Sequence, residues 1–158
     1  MRPVSVLIVD DCADTTCTMS MLLKAWGYAT HVAGDGHSAL ALAEEHRPDV
    51  VMIDIGMPGM SGWDLARQLR QRPGGAAVTL IVISGHGQPH DRERSYEAGC
   101  DVHLIKPVEP SELRRLLEVL TPRESPLIPE MNDARTRTVE RRSGSAGPHS
   151  EPSRDDSA

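Results

Sequence analysis

Residues that can take part in phosphate or metal chemistry follow four short apolar runs of this sequence. The runs are Val4–Val9, Val50–Ile53, Leu80–Ile83 and Val102–Ile105, and they are followed by Asp10 and Asp11, by Asp54, by Ser84 and by Lys106. If the runs are parallel strands of one sheet, their carboxyl ends lie side by side in the crevice where such sheets bind ligands. Three carboxylates, a hydroxyl and an ammonium group then face one another, and a cation and a phosphate would balance their charges.

This set of side chains suits phosphoryl transfer. A strand-end carboxylate such as Asp54 can attack phosphorus and form an aspartyl phosphate. The transfer needs in-line positioning and charge neutralisation, which Lys106 and a hydrogen bond from Ser84 can supply. Asp10 and Asp11 add the oxygen ligands that Mg²⁺ prefers. Each residue alone is more typical of a turn or cap, but their joint occurrence at successive strand ends favours one site.

The elements that must position these residues alternate along the first 120 residues. Apolar runs followed by helical patterns predict βα units and a mostly parallel sheet. Asp14 is the predicted N-cap of the first helix, Ser61 and Asp64 match a capping box for the third, and Pro110 opens the fifth. Tyr28–Ala33 is a weaker strand, which we expect nearer an edge. The pattern predicts an α/β fold of five strands and five helices.

The chain divides by composition into a domain, residues 1–121, and a tail, residues 122–158. The tail contains Pro, Ser and Arg but no aromatic residue, and we expect it to be disordered because it can bury little apolar surface. Arg135–Arg142 is mildly basic, and a solvated tail explains it better than a nucleic-acid contact. The net charge of −6 also argues against direct nucleic-acid binding.

Two further patterns bear on the compartment. No apolar run is long enough to span a bilayer, and the first residues lack a signal-peptide cleavage site. Cys12, Cys17 and Cys100 have neither disulfide nor zinc-site spacing. We therefore expect a cytoplasmic protein without a membrane partner.

Four motifs carry a resemblance to a known family. They are VLIVDD ending in Asp10 and Asp11, DIGMPGMSG from Asp54 to Gly62, VISGHG around Ser84, and HLIKP from His103 to Pro107. In their order and spacing, the sequence resembles the receiver domain of bacterial two-component response regulators from Val4 to about Leu120. The resemblance implies a flavodoxin-like three-layer sandwich with a five-stranded parallel sheet in the order 2-1-3-4-5.

The resemblance also implies a function and a cofactor. Asp54 would accept a phosphoryl group from the phosphohistidine of a sensor histidine kinase or phosphotransfer protein. The reaction would need Mg²⁺ or Mn²⁺, held by Asp11, Asp54, the Gly56 carbonyl and, through water, Asp10. Among the remaining motif residues, Ser84 and Lys106 would bind phosphoryl oxygens, and the Lys106–Pro107 bond is a candidate for the cis form.

Phosphorylation in this family switches a protein-binding surface. The resemblance implies that Ser84 moves toward the phosphate and that the ring at position 103 turns inward, which reshapes the face of the fourth helix, fifth strand and fifth helix. This face would bind a downstream protein, and a phosphorylation-dependent homodimer is a second use of it. Position 103 holds His instead of the usual Tyr or Phe, so either it is a titratable switch or a partly exposed strand residue. Gly56 and His86 would flank the path of the hydrolytic water.

Two alternatives remain open at this stage. A phosphatase of the haloacid dehalogenase type also uses a strand-end Asp and Mg²⁺, but Cys12 replaces its general acid. The chain can also be a receiver detached from a hybrid histidine kinase. In the favoured interpretation the protein is not an enzyme beyond its own phosphorylation and dephosphorylation.

Overall fold

A parallel sheet forms the centre of the computed structural model, which describes residues 2–85, 88–121 and 139–141. Its parallel strands are β1 (Ser5–Val9), β2 (Ala29–Ala33), β3 (Val50–Asp54), β4 (Thr79–Ser84) and β5 (Val102–Ile105). They pair in the order β2-β1-β3-β4-β5, which confirms the predicted topology and places β2 at an edge. Because all four pairings are parallel, the carboxyl ends of these strands lie along the same edge of the sheet.

Helices cover both faces of this sheet. The described residues form α1 (Ala13–Ala25), α2 (Gly36–His46), α3 (Gly62–Gln71), α4 (Pro89–Glu97) and α5 (Pro110–Leu120). Alternate residues of β1 enter different cores, so that Leu7 packs with residues of α2 and α3 whereas Val6 packs with residues of α1 and α5. The predicted three-layer sandwich is confirmed.

The helix starts follow the sequence with one exception. Ser61 caps α3, and its Oγ accepts a hydrogen bond from the backbone N–H of Asp64 over 3.2 Å, as predicted. The prediction of Asp14 as the N-cap of α1 is wrong, because Cys12 is the N-cap and Asp14 lies in the first turn. A carboxylate is stabilising at either place, since both lie at the positive end of the helix dipole.

A sixth strand, β6 (Val139–Arg141), lies inside the segment that we expected to be disordered, and the expectation is wrong for these three residues. It pairs antiparallel with β5, with Leu104 opposite Val139. An edge strand such as β5 presents unpaired backbone N–H and C=O groups, and an extended segment can pair with them whatever its apolar content. Residues 122–138 and 142–158, the rest of the predicted tail, lie outside the described residues.

Candidate functional site

Three carboxylates meet at the carboxyl ends of β1 and β3. One oxygen from each of Asp10, Asp11 and Asp54 lies within 4.8 Å of the other two. Adjacent strands produce this arrangement, because Val9 pairs with Ile53 and the next residues of both strands project from the same edge. The side chains of Asp10 and Asp54 are only 8% and 12% exposed, so water screens their charges poorly.

Lys106 brings a positive charge to the same crevice. Its Nζ lies 3.5 Å from Asp54 Oδ1 and 3.8 Å from Asp10 Oδ2. The backbone N–H of Lys106 donates a 2.8 Å hydrogen bond to the carbonyl of Ser84, which fixes the end of β5 beside the end of β4. The Lys106–Pro107 peptide bond is cis, as the resemblance implied. One ammonium group thus faces a cluster that carries three negative charges when ionised.

This imbalance is visible in Asp10. Burial raises the pKa of its carboxyl above the usual value, and the charges of Asp54 and Asp11 act in the same direction. The backbone N–H of Cys12, which donates a 2.9 Å hydrogen bond to Asp10 Oδ1, and the ammonium group of Lys106 lower that pKa but do not offset the increase. The site is therefore strained electrostatically when it holds protein charges alone, which is the environment that a divalent cation relieves.

We expect Asp10→Asn to raise the thermal midpoint of unfolding by a few degrees at neutral pH in buffer without divalent cations. Because the folded-state pKa of Asp10 is raised, its ionisation costs stability once the pH rises through that pKa. Asn keeps an oxygen for the Cys12 N–H and removes the charge. The difference in thermal midpoint between the variant and the wild type should vanish below the usual carboxyl pKa of 3.8, where Asp10 is protonated in both the folded and the unfolded state.

Thermal unfolding of both proteins from acid to neutral pH checks this expectation. Adding Mg²⁺ should then raise the midpoint of the wild type more than that of Asp10→Asn. A variant that is less stable than the wild type at neutral pH without Mg²⁺ would contradict the assigned electrostatic cost.

Two other predicted site residues, Ser84 and Gly56, lie on elements next to Asp54. Ser84 is buried at the end of β4, whose Ile83 pairs with Asp54. Gly56 directs its backbone N–H toward Asp54 Oδ1 over 3.4 Å, and a Cβ at this position would lie 3.9 Å from both carboxylate oxygens. The side of the carboxylate next to Gly56 is therefore left open. His86 lies outside the described residues.

His103 is fully buried, so the expectation of a partly exposed residue is wrong. Its Nδ1 lies 2.8 Å from Oγ of Ser95, a fully buried residue of α4. The same Oγ accepts a 2.9 Å hydrogen bond from Nε1 of Trp63 in α3. Sequence reasoning missed Ser95 and Trp63, because neither belongs to a motif. A serine on the buried face of an otherwise polar helix is the only signal that could have indicated the first of them.

Cys12 lies at the N-terminal end of α1, next to the acidic residues. Hydrogen bonds from the side chain and backbone of Thr15 lower the pKa of its thiol, which the sequence did not indicate. The position that would hold the general acid of a haloacid dehalogenase therefore holds an exposed thiol.

The comparison with protein families agrees with this geometry. The family model described as the response regulator receiver domain matches residues 6–118, which is more than two thirds of the chain. The chain belongs to the response regulator receiver family. It is therefore a receiver domain of two-component signalling, and its acidic site lies at the carboxyl edge of the sheet.

Relatives in several bacteria share the domain in different contexts. The chain is 36% identical over 108 residues to the DNA-binding response regulator MtrA of Mycobacterium tuberculosis, which covers 68% of this chain and 46% of that protein. It is 32% identical over 118 residues to an uncharacterised 14.6 kDa protein of Leptolyngbya boryana, covering 75% of this chain and 90% of that one. The matched region spans 13% of the gliding motility regulatory protein of Myxococcus xanthus and about half of the MtrA proteins.

Solved structures give the same result. The chemotaxis protein CheY4 of Vibrio cholerae matches with a TM-score of 0.73 and 28% identity, covering 75% of this chain and 99% of that one. A second match is the receiver domain of the sensor histidine kinase PA1611 of Pseudomonas aeruginosa, which has a magnesium ion in its active-site cleft. The TM-score is 0.69 and the identity 28%, and the match covers 75% of this chain and 98% of that one. Among the helices of the described residues, none is long and apolar enough to cross a membrane.

Proposed function

We propose that Asp54 accepts a phosphoryl group from the phosphohistidine of a sensor histidine kinase or phosphotransfer protein, in a reaction that requires Mg²⁺ or Mn²⁺. The observation that carries the proposal is the position of the Asp54 carboxylate, which lies beside the two acidic residues that follow β1 and 3.5 Å from the ammonium group of Lys106. A kinase of this type acts in the cytoplasm, and the proposal places the chain there.

The residues around Asp54 divide the tasks of phosphoryl transfer. Lys106 attracts the phosphoryl oxygens and keeps the two neighbouring carboxylates from repelling the donor. Ser84, at the end of the neighbouring strand β4, would bind another phosphoryl oxygen through its hydroxyl. Asp11, Asp54 and the Gly56 carbonyl would hold the cation, with Asp10 contributing through water, and three carboxylates within 4.8 Å fit such an ion. When bound, the cation neutralises charge on the donor phosphate.

The surface made by α4, β5 and α5 is the proposed site for the downstream protein. Its sheet edge is covered by β6, so a partner that pairs with the backbone of β5 must first displace this strand. The same surface would serve a phosphorylation-dependent homodimer. The resemblance to the PA1611 receiver favours a second setting, that of a receiver linked to a histidine kinase, and the chemistry at Asp54 is the same in both.

Intact-mass analysis after incubation with Mg²⁺ and acetyl phosphate tests the proposal. We expect one phosphoryl adduct on the wild type and none on Asp54→Asn, which keeps the shape of the side chain and removes the nucleophile. Asp64→Asn, which changes an exposed carboxylate of α3, is the matched control and should keep the adduct. A wild type without an adduct from any phosphodonor or candidate kinase would contradict the proposal. Steady turnover of a phosphomonoester would instead favour the phosphatase alternative.

A further inference from the structure

A polar cluster joins α3, α4 and β5 beneath the proposed partner surface. Its centre is the Oγ atom of Ser95, which lies 2.8 Å from His103 Nδ1, 2.9 Å from Trp63 Nε1 and 3.0 Å from the backbone carbonyl oxygen of Asp91. Arg94 covers the Trp63 ring, with its Cζ 3.8 Å from the ring centroid. Ser95 and His103 are fully buried, so water does not compete for these hydrogen bonds.

The contacts of Ser95 determine the position of the proton on His103. A serine hydroxyl has one proton to donate and two lone pairs that accept. The indole N–H of Trp63 can only donate, and the carbonyl of Asp91 can only accept. All three contacts are satisfied together when the hydroxyl donates to Asp91 and accepts from both Trp63 and His103. The neutral His103 ring therefore carries its proton on Nδ1.

We propose that Ser95 is the positioning residue that holds the His103 ring in its buried orientation, by accepting a hydrogen bond from Nδ1–H. This inference rests on the proposed function, because it gives His103 the task of the switch residue. A Phe ring cannot make the bond at all, and Tyr carries its polar group at the far end of the ring. Rotation of the imidazole out of this orientation breaks the bond to Ser95 and leaves buried polar groups unsatisfied. The bond therefore favours the inward orientation that the resemblance associates with phosphorylation.

The cluster also connects the switch to two helices. The Oγ atom of Ser95, in α4, contacts both Trp63 of α3 and His103 of β5. Loss of the His103 bond therefore removes a contact that holds α4 against β5. Phosphorylation at Asp54 would act on the proposed partner surface through a two-state equilibrium of this cluster.

Nitrogen-15 NMR of the imidazole rings tests the proton position in the unphosphorylated full chain. The His103 signals are identified by their loss in His103→Phe. We expect a protonated Nδ1 and an unprotonated Nε2 in the wild type, and a shift toward protonated Nε2 in Ser95→Ala, where the acceptor is missing. Trp63→Phe is the matched control, because it removes another hydrogen bond to Ser95 but should keep the proton on Nδ1. Protonated Nε2 in the neutral wild-type ring would overturn the inference.

The rate of phosphorylation by acetyl phosphate tests the positioning role. We expect Ser95→Ala to be phosphorylated about fivefold more slowly than the wild type, because the loss of about one net hydrogen bond destabilises the inward ring orientation that phosphorylation favours. A rate equal to or above that of the wild type, in a variant shown to be folded by circular dichroism, would overturn this role. The proposed function fails instead if the wild type takes up no phosphoryl group. The NMR measurement uses the unphosphorylated chain, so its result does not depend on that uptake.

Discussion

Replacing Lys106 by Met should slow phosphorylation of the protein about 100-fold to 1,000-fold, the usual cost of removing one charged partner of a reacting oxygen. Among the described residues, Lys106 provides the ammonium group that lies within 4 Å of both Asp10 and Asp54. Met keeps most of the length and apolar volume of the side chain. The expected loss of rate therefore comes from the missing charge. Without it, the negative charge of the crevice is not neutralised and the phosphoryl oxygens are not attracted.

The chain offers a matched control for this substitution, since Lys24 is its only other lysine. Lys24 lies in the last turn of α1, away from the crevice, and Lys24→Met should be phosphorylated at the rate of the wild type. Rates are measured from the growth of the phosphoryl adduct with acetyl phosphate at constant Mg²⁺. Equal rates in the wild type and Lys106→Met would show that this charge takes no part in the transfer.

Gly62→Ala should lower the free energy of unfolding by about 2 kcal/mol and also impair phosphorylation. Gly62 begins α3, directly against the end of the strand that carries the phosphoacceptor. A Cβ there would lie 2.8 Å from the carbonyl oxygen of Asp54, 2.9 Å from Cα of Ile55 and 3.0 Å from Cγ2 of Ile53. The first two of these atoms belong to the backbone and cannot rotate away, so β3 and α3 must separate and Asp54 must shift.

Gly34→Ala is the control for this prediction. A Cβ at Gly34 would meet no atom within 4 Å, and this exposed residue does not have a positive φ. Its stability should stay within about 0.5 kcal/mol of the wild type or rise slightly, because Ala restricts the unfolded chain more than Gly does. Urea unfolding of the three proteins measures both effects. A Gly62→Ala variant as stable as Gly34→Ala would contradict the close packing described here.

The parallel sheet and the convergence of the acidic residues could be predicted from the sequence because both depend on local patterns. Four apolar runs with polar residues at their ends, separated by helical spacing, admit few arrangements other than a parallel sheet. Asp10, Asp54 and Lys106 then meet because parallel strands end at the same edge. The strand order and the cis form of the Lys106–Pro107 bond followed from the resemblance and not from the physics of the chain.

The remaining features depend on contacts between distant residues that no local pattern records. The burial of His103 requires Ser95 to lie opposite it, eight residues earlier on another element. The pairing of β6 depends on the free edge of β5, and a polar segment such as Val139–Arg141 has no strand signal of its own. The guanidinium group of Arg70, which joins Asp101 to the backbone carbonyl of Gly99, is likewise invisible until the fold brings them together.

Locating the phosphoryl group tests the central claim most directly. An aspartyl phosphate is an acyl phosphate, which borohydride reduces to the corresponding alcohol, whereas phosphoserine and phosphohistidine do not react in this way. After phosphorylation with Mg²⁺ and acetyl phosphate, reduction and digestion, we predict that peptide fragmentation finds homoserine at position 54. Homoserine at Asp10, Asp11 or another aspartate, or a phosphoryl group that resists reduction, would contradict the assignment of Asp54 as the phosphoacceptor.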